Sequence, residues 1–433
     1  MGPKLEEVFG VSSGPVLSYI RRDAVDGRFV EALKADKQIV VYGSSKQGKT
    51  ALVQEYLPYE KQIVVRLTPK TQISDIYASV LRQLGIQLKT GAVEVSGRET
   101  SASLKASFKA LIPIFGGGEA SAEGGAKAQA RTDQNYKEVP FNLELPQDIS
   151  ELIRETRQHK TIILENFHYL DDERQKQLSF DLRTFQELGI QFVILGVWRE
   201  KNRLPQFNGD LVDRVIEIPV EPWLEADFKR VAEKGQAELN LEITAELVAL
   251  SVESSFSSIG VFQELLKEIC LAADIRDRHP VVRTIDDRRL FELATKRKAG
   301  EYASRHQRAL EAIAAGNLSS TAKEGLQPLF LPYYLVKVIL DGGYDGLANG
   351  MRRAVIQESI QKIHHRPNDV RASDMSNLLY NLAALQAGKS ISPPIIDYDK
   401  STKLLQVVDS TFYFFLKNTD LKAISEEIPN PLA

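Results

Sequence analysis

The sequence predicts an α/β fold in which a parallel sheet is covered by helices on both faces. Two observations support this prediction. The first half of the chain contains five short apolar runs rich in β-branched residues, and stretches with a helical pattern separate them. Such alternation is typical of parallel strands joined by crossover helices. The five runs begin at Ile39, Ile63, Thr161, Phe192 and Val215.

Composition limits the classes of partner. The chain has 433 residues, of which 43% are hydrophobic, enough for a packed core in two or three domains. Its 55 basic and 58 acidic residues give a net charge of −3, so there is no overall attraction to nucleic acid or to anionic membranes. Cys270 is the single cysteine, which excludes an intramolecular disulfide. No stretch approaches the ~20 apolar residues of a membrane span. We expect a cytoplasmic protein without a membrane partner.

Changes in pattern along the chain predict four units. Residues 1–221 would form the sheet domain, 222–283 a helical domain, 284–325 a charged helix with a linker, and 326–433 a last domain. Within the first unit, residues 97–137 are rich in glycine, alanine and serine. Because such a composition buries little surface and is costly to order, we predict a flexible insertion there.

The last unit has the order of a winged helix-turn-helix, with three helical patterns followed by a β-hairpin. The helices are predicted at about 332–340, 346–364 and 372–387, and the hairpin at 395–416. The aromatic residues 412–415 are expected in the core of that hairpin. The third helix contains no lysine or arginine, so a protein-binding role fits at least as well as a DNA-reading one.

The segment Gly43–Thr50 carries the strongest functional signal, because it matches G-x-x-x-x-G-K-[ST] at every fixed position. It follows an apolar run and precedes a helical pattern, as that motif requires. The glycines allow backbone N–H groups to surround phosphate oxygens, and the next helix presents its positive end to the same anion. Lys49 can reach the β- and γ-phosphates, and the Thr50 hydroxyl can bind Mg²⁺. We therefore predict ATP and Mg²⁺ as ligands, held by Gly43, Ser44, Ser45, Lys46, Gln47, Gly48, Lys49 and Thr50.

A second signal lies at the end of the run Thr161–Leu164. Glu165 follows this run and occupies the position of a metal-binding carboxylate. Asn166 stands where a catalytic glutamate is common, and an amide can orient a water but cannot accept its proton. We expect hydrolysis to be slow, or to use Glu165, His168 or Asp171 instead. Alternatively, Glu165 is simply a polar strand end.

With these motifs, residues 18–272 resemble the AAA+ and STAND-type ATPases of bacteria and archaea. They look most like the compact ATPases related to origin-recognition and transposition ATPases. Besides the phosphate-binding loop, the resemblance rests on residues 162–168, 195–200 and 210–214. It implies a P-loop ATPase core with a helical lid, often followed by a C-terminal winged helix.

The resemblance also assigns sensor groups. The family's sensor-1 group follows the fourth apolar run, where Trp198, Arg199 and Asn202 are candidates. Its sensor-2 arginine would lie near residues 258–263, and this segment contains none. Together with Asn166, this departure favours a slow nucleotide switch over a fast motor.

The family's arginine finger precedes the last strand, where Arg214 stands in this sequence. Such a finger acts on the nucleotide of a neighbouring subunit and stabilises charge on the transferring phosphoryl group. The resemblance therefore implies a homo-oligomer in the ATP-bound state. Alternatively, Arg214 forms a surface ion pair with Asp210 or Asp213.

Three functions remain open from the sequence. The first is a regulatory ATPase switch that couples nucleotide state to self-assembly or to a protein partner, in a setting such as anti-phage defence or mobile-element control expected from the family. The second is a DNA-associated ATPase that loads or remodels a partner. Residues 287–308 would favour it, since they carry seven basic against three acidic residues, although such a run is more often a solvated helix face. The third is a nucleotide-binding adaptor without turnover.

Overall fold

The computed structural model describes residues 2–12, 14–90, 108–113, 136–316 and 327–432. Most of the insertion predicted at 97–137 lies outside these residues, so its flexibility stays a prediction. The described part of the sheet domain has eight strands, which are β1 (Gln38–Gly43), β2 (Ile63–Arg66), β3 (Gln87–Thr90), β4 (Phe108–Pro113), β5 (Tyr136–Phe141), β6 (Ile162–Glu165), β7 (Phe192–Val197) and β8 (Val215–Pro219). Its helices are α1 (Leu5–Val8), α2 (Arg28–Lys34), α3 (Lys49–Tyr56), α4 (Ile73–Gln83), α5 (Pro146–Glu155), α6 (Asp172–Glu187) and α7 (Arg203–Phe207).

The central sheet contains five parallel strands in the order β2-β6-β7-β1-β8. These strands are the five apolar runs of the sequence, so the predicted fold class is confirmed. Alternate residues of β1 face opposite layers of helices. Val40 and Tyr42 pack with α4, α5 and α6, whereas Ile39 and Val41 pack with α2 and α3. This burial on both faces explains why the runs are almost continuously apolar.

A second sheet was not predicted. Strands β3, β4 and β5 form an antiparallel sheet, and β4 lies entirely within the segment interpreted as a flexible insertion. The six residues of β4 stand between stretches of glycine, alanine and serine in the sequence. They become a strand by pairing on both sides with segments that are distant in the chain, which composition alone does not reveal.

The helical lid consists of α8 (Glu225–Leu239), α9 (Ala245–Glu253) and α10 (Ile259–Ala272), with two short parallel strands, β9 (Leu241–Ile243) and β10 (Arg283–Ile285). The segment 284–286 was expected to begin the long charged helix, but it belongs largely to β10. That helix, α11 (Arg288–Ala314), begins after Asp287, whose side chain accepts a hydrogen bond from the backbone N–H of Arg289. The N-terminal residues Leu5, Val8 and Phe9 pack in the core of the lid.

The C-terminal domain begins with four helices and one short strand, and it ends with a hairpin and two helices. Its elements are α12 (Leu331–Leu347), β11 (Met351–Arg352), α13 (Arg353–Ile363), α14 (Ala372–Tyr380), α15 (Leu382–Gly388), β12 (Ile396–Asp399), β13 (Leu404–Val407), α16 (Ser410–Asn418) and α17 (Leu421–Glu427). The strands pair antiparallel in the order β11-β13-β12. The expected order of helices followed by a hairpin is therefore present. The third predicted helix is divided at Asn381 into α14 and α15.

The extent of the predicted hairpin was wrong. Its second strand ends at Val407, and residues 410–418 form the helix α16. Asp409 caps this helix by accepting a hydrogen bond from the backbone N–H of Thr411. Phe412 and Phe415 are fully buried on α16 rather than in a hairpin. Their strand propensity is overridden by the cap and by packing against α11 and α12.

Helix α11 joins the lid to the C-terminal domain. It packs on α10 at one side and on α12 and α16 at the other. A small apolar cluster contains Leu265 of the lid, Tyr302 of α11 and Phe414 of α16. None of the helices in the described ranges has the length and apolar character needed to cross a bilayer.

His306 of α11 makes the stability of this arrangement dependent on pH. The residue is fully buried, its Nε2 lies 2.8 Å from Thr411 Oγ1, and burial lowers its pKa to about 4. Because the unfolded chain binds a proton near pH ~6.5 while the folded chain does not, stability is lost as the pH falls from ~6.5 towards 4. His306→Gln should reduce the slope of the unfolding free energy against pH by up to ~1.4 kcal/mol per pH unit in this range. Denaturant unfolding at a series of pH values measures it.

The matched control is His159→Gln, which changes an exposed histidine. It should leave the pH dependence of the unfolding free energy as in the wild type. A residual slope should persist in both variants, because burial also lowers the pKa of His168 to about 3. An unchanged slope in His306→Gln would contradict the neutral, buried state of His306.

Candidate nucleotide-binding site

The segment Gly43–Thr50 connects β1 to α3 at the carboxyl edge of the central sheet. Gly48 has a φ of 83° directly before the first residue of α3, and Gly43 has a φ of 149°. A Cβ atom on Gly43 would lie 2.7 Å from Val220 Cγ2, which is too close for another residue type. Both glycines of the motif thus meet a backbone requirement, as expected for a loop that surrounds phosphate oxygens.

The side chain of Lys49 is folded back onto this loop. Its Nζ donates to the carbonyl oxygens of Gly43 at 3.0 Å and of Ser44 at 2.6 Å. Burial lowers the pKa of Lys49 to about 8, although Glu221 acts in the opposite direction. An anion that enters the site would stabilise the charged ammonium. Lys49 is therefore poised for a phosphate group.

A hydroxyl and a carboxylate meet beside Lys49. Thr50 Oγ1 at the start of α3 lies 3.4 Å from Glu165 Oε1 at the end of β6. Glu165 is further held by the Tyr59 hydroxyl at 2.7 Å and by Arg66 Nε at 3.1 Å. Mg²⁺ prefers oxygen ligands and is usually held by one or two carboxylates together with phosphate oxygens and water. Thr50 and Glu165 fit this requirement.

The rest of such a metal site would come from the nucleotide. In the described ranges, no group of three histidine, cysteine, aspartate or glutamate side chains could hold a metal ion alone. A shell completed by phosphate oxygens agrees with this finding.

Of the residues that could activate a water molecule, Asn166 and His168 line a cavity beside the loop, whereas Asp171 caps a helix. Asn166 lines the cavity beside the loop and has a left-handed backbone with φ of 62°. His168 lines the same cavity, and neither of its ring nitrogens has a hydrogen-bond partner among the described residues. Burial, with Lys49 nearby, lowers the pKa of His168 to about 3, so it is neutral and a weak base at neutral pH. Asp171, in contrast, caps α6 and pairs with Arg174.

A cavity of about 320 Å³ adjoins the loop, a volume within the range of small-molecule sites. One wall is the N-terminal segment 10–22, and another is the lid with Trp223, Ile259 and Gln263. Pro393 of the C-terminal domain also reaches it. The sequence indicated the lid segment 258–263 beside the nucleotide, but it did not indicate the walls from the N-terminal segment and from Pro393, which belong to no motif and come together only through the fold.

Of the three sensor-1 candidates, Arg199 contacts the loop. Its Nε donates to Ser44 Oγ at 2.7 Å, and its Nη2 lies 3.2 Å from Glu221 Oε1. Trp198 is fully buried in the sheet core and stacks on an aromatic ring of β1. The backbone N–H of Asn202 donates to a carboxylate of β8. The packing of Trp198 and the local hydrogen bonding of Asn202 give both residues a structural place outside the cavity.

Arg214 lies at the opposite edge of the sheet, since the next residue pairs with the first residue of β1. Its guanidinium donates to Gln186 Oε1 at 2.6 Å and pairs with Glu187 Oε1 at 3.0 Å. The surface ion pair expected for Arg214 is therefore formed with Glu187 instead of Asp210 or Asp213. Asp210 pairs with Arg183. A role as an arginine finger towards a second subunit stays a prediction.

The lid contacts the outer side of the loop. The backbone N–H of Gly260, in the first turn of α10, donates to the carbonyl of Lys46 at 2.9 Å. The Gln47 side chain donates to the carbonyl of Ser257 at 3.4 Å. Gln263, one turn further along α10, lines the cavity in the segment that lacks a sensor-2 arginine.

The C-terminal domain also contacts this loop, which the sequence did not suggest. The backbone N–H of Ser45 donates to the carbonyl of Val408 at 2.8 Å, and its hydroxyl donates to Asp409 Oδ1 at 2.8 Å. Ser410 Oγ donates to the carbonyl of Ser45 at 3.1 Å and accepts from Gln47 at 3.2 Å. The segment before α16 therefore lies directly on the tip of the phosphate-binding loop.

Asp409 is the charged centre of this contact. Its carboxylate is fully buried, and Arg305 Nη1 lies 2.6 Å from Oδ2 as a charge contact without hydrogen-bond alignment. Burial by itself raises the pKa of Asp409, but the charge of Arg305, together with hydrogen bonds from Ser45 and Thr411, lowers it overall. The carboxylate is therefore ionised, and α11 supplies its counter-charge.

No family model and no curated protein matches this chain. Three solved structures resemble it over most of their length. A Walker-type ATPase of Pyrococcus abyssi is 12% identical, with 93% of this chain and 99% of that chain covered at a TM-score of 0.46. An Orc1 protein of Aeropyrum pernix, solved in complex with DNA, is 13% identical, with 94% of this chain and 93% of that chain covered at a TM-score of 0.40. A Cdc6 protein of Pyrobaculum aerophilum is 12% identical, with 97% of this chain and 100% of that chain covered at a TM-score of 0.38.

The strand order, the phosphate-binding loop and the lid define the class of the fold. A central parallel sheet carries the loop after β1 and the acidic strand end after β6, with helices on both faces. The predicted P-loop NTPase fold, with a helical lid, is thus confirmed.

Gly260→Ala should weaken ATP binding. The added Cβ would lie 2.5 Å from Lys46 Cβ and 2.7 Å from the Lys46 carbonyl oxygen, so the lid must move away from the loop. We expect a loss of ~1–3 kcal/mol in unfolding free energy, as in other overpacked sites, together with a lower affinity for ATP. Denaturant unfolding and calorimetric titration measure the two effects.

Gly300→Ala is the matched control, because no atom of the described part of the chain lies within 4 Å of its added Cβ on α11. It should stabilise the chain by ~0.5–1 kcal/mol and leave the ATP affinity unchanged. Equal ATP affinities for the two variants would show that the lid contact has no part in nucleotide binding.

Proposed function

We propose that this chain is an ATP-binding regulatory ATPase that couples its nucleotide state to the position of its C-terminal domain. Through that domain it would control self-assembly or a protein partner. The observation that carries the proposal is the contact of Val408, Asp409 and Ser410 with the tip of the phosphate-binding loop. Its ligands would be ATP and Mg²⁺, held by the loop and by Glu165.

The loop provides a short path from ligand to domain. Lys49 donates to the carbonyls of Gly43 and Ser44. Ser45, the residue after Ser44, is hydrogen-bonded to Asp409 of the C-terminal segment. ATP supplies phosphate oxygens, which form stronger hydrogen bonds with an ammonium group than neutral carbonyls do. Once Lys49 turns to such a partner, the two carbonyls are released and the backbone before Ser45 can adjust. We infer that occupancy of the cavity is transmitted here.

Asp409 gives this contact two distinct states. In the buried state its carboxylate depends on Arg305 and Ser45, because a buried charge without partners costs several kcal/mol. In the open state, water would replace both partners. An intermediate position would leave the charge dry and unpaired. Such an interface changes in one step, as expected of a switch.

The environment of the cavity favours slow hydrolysis. Asn166 cannot accept a proton, and the neutral His168 is a weak base. Both residues can still orient a water molecule through hydrogen bonds. Arg199 contacts the loop at Ser44 and would respond to changes there. This combination suits a switch whose ATP state must persist, in a setting such as anti-phage defence or mobile-element control.

A DNA-associated ATPase is the second candidate, and the basic helix α11 offers it little support. Several of its cations face carboxylates of the same chain, so their charge is largely compensated. The pairs join Arg288 to Glu246, Arg297 to Glu268, Lys298 to Glu264 and Arg305 to Asp409. In the hairpin turn of the C-terminal domain, Lys400 pairs with Asp172 of α6. DNA would have to displace these partners, and the switch is therefore preferred.

Phosphate release from ATP tests both the enzyme and the coupling. The wild type should turn over slowly, and Lys49→Ala should reach the background rate. Asp409→Asn keeps the shape of the side chain but removes the charge that binds Arg305, so the segment should leave the loop more easily. We expect its turnover to rise about tenfold, equivalent to ~1.4 kcal/mol, near the lower range for a hydrogen bond to a charged group.

The matched control is Asp420→Asn, since Asp420 also caps a helix of the C-terminal domain but lies exposed and accepts its hydrogen bonds from Lys422 and Ala423 of that helix. Its turnover should equal that of the wild type. Equal rates for the wild type and Lys49→Ala would favour an adaptor without turnover. Equal rates for Asp409→Asn and Asp420→Asn would contradict the coupling.

A further inference from the structure

A second cavity, of about 440 Å³, lies where the sheet domain, the lid and the C-terminal domain meet. It shares no lining residue with the nucleotide cavity. The carboxyl ends of β1 and β8 form its floor, where Gly43 and Glu221 stand. Phe256 enters it from the lid, and Tyr344 and Tyr413 enter it from the C-terminal domain. Its volume and its place between domains are those of small-molecule sites.

The walls of this cavity are aromatic. The ring of Phe256 lies 4.9 Å from that of Tyr344, and the ring of Tyr344 lies 5.5 Å from that of Tyr413. All three rings are partly or largely buried, so they offer faces and edges to a planar guest. Aromatic pairs prefer offset or edge-to-face contacts, which this arrangement of tilted rings allows.

The charges at the mouth leave one cation free. Arg199 and Glu221 pair with each other at 3.2 Å, and Glu221 Oε2 also accepts from the backbone N–H of Ser44 at 2.7 Å. Lys201 is exposed, and in the described part of the chain its ammonium group has no ion pair or hydrogen-bond partner. At longer range Lys201 interacts electrostatically with Glu217 of β8. The mouth of the cavity therefore presents an ammonium group without a direct partner among the described residues, beside aromatic walls.

The backbone around the cavity is held in costly conformations. Phe256 and Ser257 are consecutive residues with positive φ, at 50° and 59°. Left-handed backbone costs ~1–2 kcal/mol for a residue with a side chain, and a bulky residue such as Phe256 adopts it rarely. Helix α12 is also interrupted at Gly343, with φ of 54°, directly before Tyr344. Strain of the kind found at Phe256 and Ser257 is concentrated at binding sites, and here it positions one aromatic wall. Gly343 adopts its positive φ without such a cost, and the interruption places Tyr344 at the cavity.

From these observations we propose that this cavity is a separate binding site for a small molecule with a planar aromatic body and one anionic group. The body would lie among Phe256, Tyr344 and Tyr413, and the anion would face Lys201. Such a guest would touch all three domains at once. The site differs from the nucleotide cavity in its lining residues and in its aromatic walls, although Gly43 of the phosphate-binding loop forms part of its floor.

The probe for this site is 8-anilinonaphthalene-1-sulfonate, which joins aromatic rings to one sulfonate and fluoresces on transfer to an apolar environment. Titrated into the full chain, it should bind at one saturable site, and excess ADP with Mg²⁺ should not displace it. Lys201→Glu reverses the free charge and should weaken binding about tenfold. Ala348→Trp fills the cavity from α12 and should abolish binding.

Two matched controls sharpen this experiment. Lys160→Glu makes the same charge change on an exposed lysine before β6, at the opposite edge of the sheet, and should leave the affinity for the probe unchanged. N-phenyl-1-naphthylamine keeps the aromatic body without the sulfonate, and its affinity should not respond to Lys201→Glu. Because Lys201 is exposed, its variant is expected to fold even if Ala348→Trp does not.

The proposal is overturned if the sulfonate probe binds Lys201→Glu and Lys160→Glu equally well, or if ADP displaces it. It is also overturned if the probe shows no saturable binding to the wild type. Nucleotide binding is measured separately, so none of these outcomes depends on the regulatory function proposed above.

Discussion

The buried carboxylate of Asp409 joins three parts of the chain at one point, the tip of the phosphate-binding loop. It accepts a hydrogen bond from Ser45 of the loop, faces Arg305 of α11, and caps α16 in the C-terminal domain. A dry, unpaired carboxylate costs several kcal/mol, so none of these partners can leave without water or another cation taking its place. The relative positions of sheet, connecting helix and last domain are therefore fixed together.

The lid completes this arrangement from another side. Gly260 holds the carbonyl of Lys46, one residue beyond Ser45, so two domains contact adjacent residues of one short loop. The shape of the loop depends on its glycine backbone and on Lys49, whose ammonium group donates hydrogen bonds to two carbonyl oxygens of the same loop. A change in the partners of Lys49 is thus felt within a few residues by both domains. Little amplification is needed, since packed interfaces of this kind move between discrete positions.

The sheet and the phosphate-binding loop could be predicted from the sequence, because the patterns that indicate them lie within a few residues of one another. The strands and the loop Gly43–Thr50 follow from runs and spacing within a few residues, and Glu165 follows because parallel strands end at one edge of a sheet. The helix Ser410–Asn418 could not be predicted, since its aromatic residues favour a strand until α11 and Asp409 decide otherwise. The contact of Ser45 with Asp409 joins residues 364 positions apart and belongs to no motif.

The central claim is that the nucleotide state of the loop controls the C-terminal segment beside it. Amide hydrogen exchange of residues 404–418 in the full chain, compared at saturating ATP with Mg²⁺ and at saturating ADP with Mg²⁺, tests this claim most directly. We expect faster exchange in the ATP state, because release of the Asp409 contact exposes the start of α16 to local opening. Identical exchange of this segment with the two nucleotides, while both are bound, would contradict it.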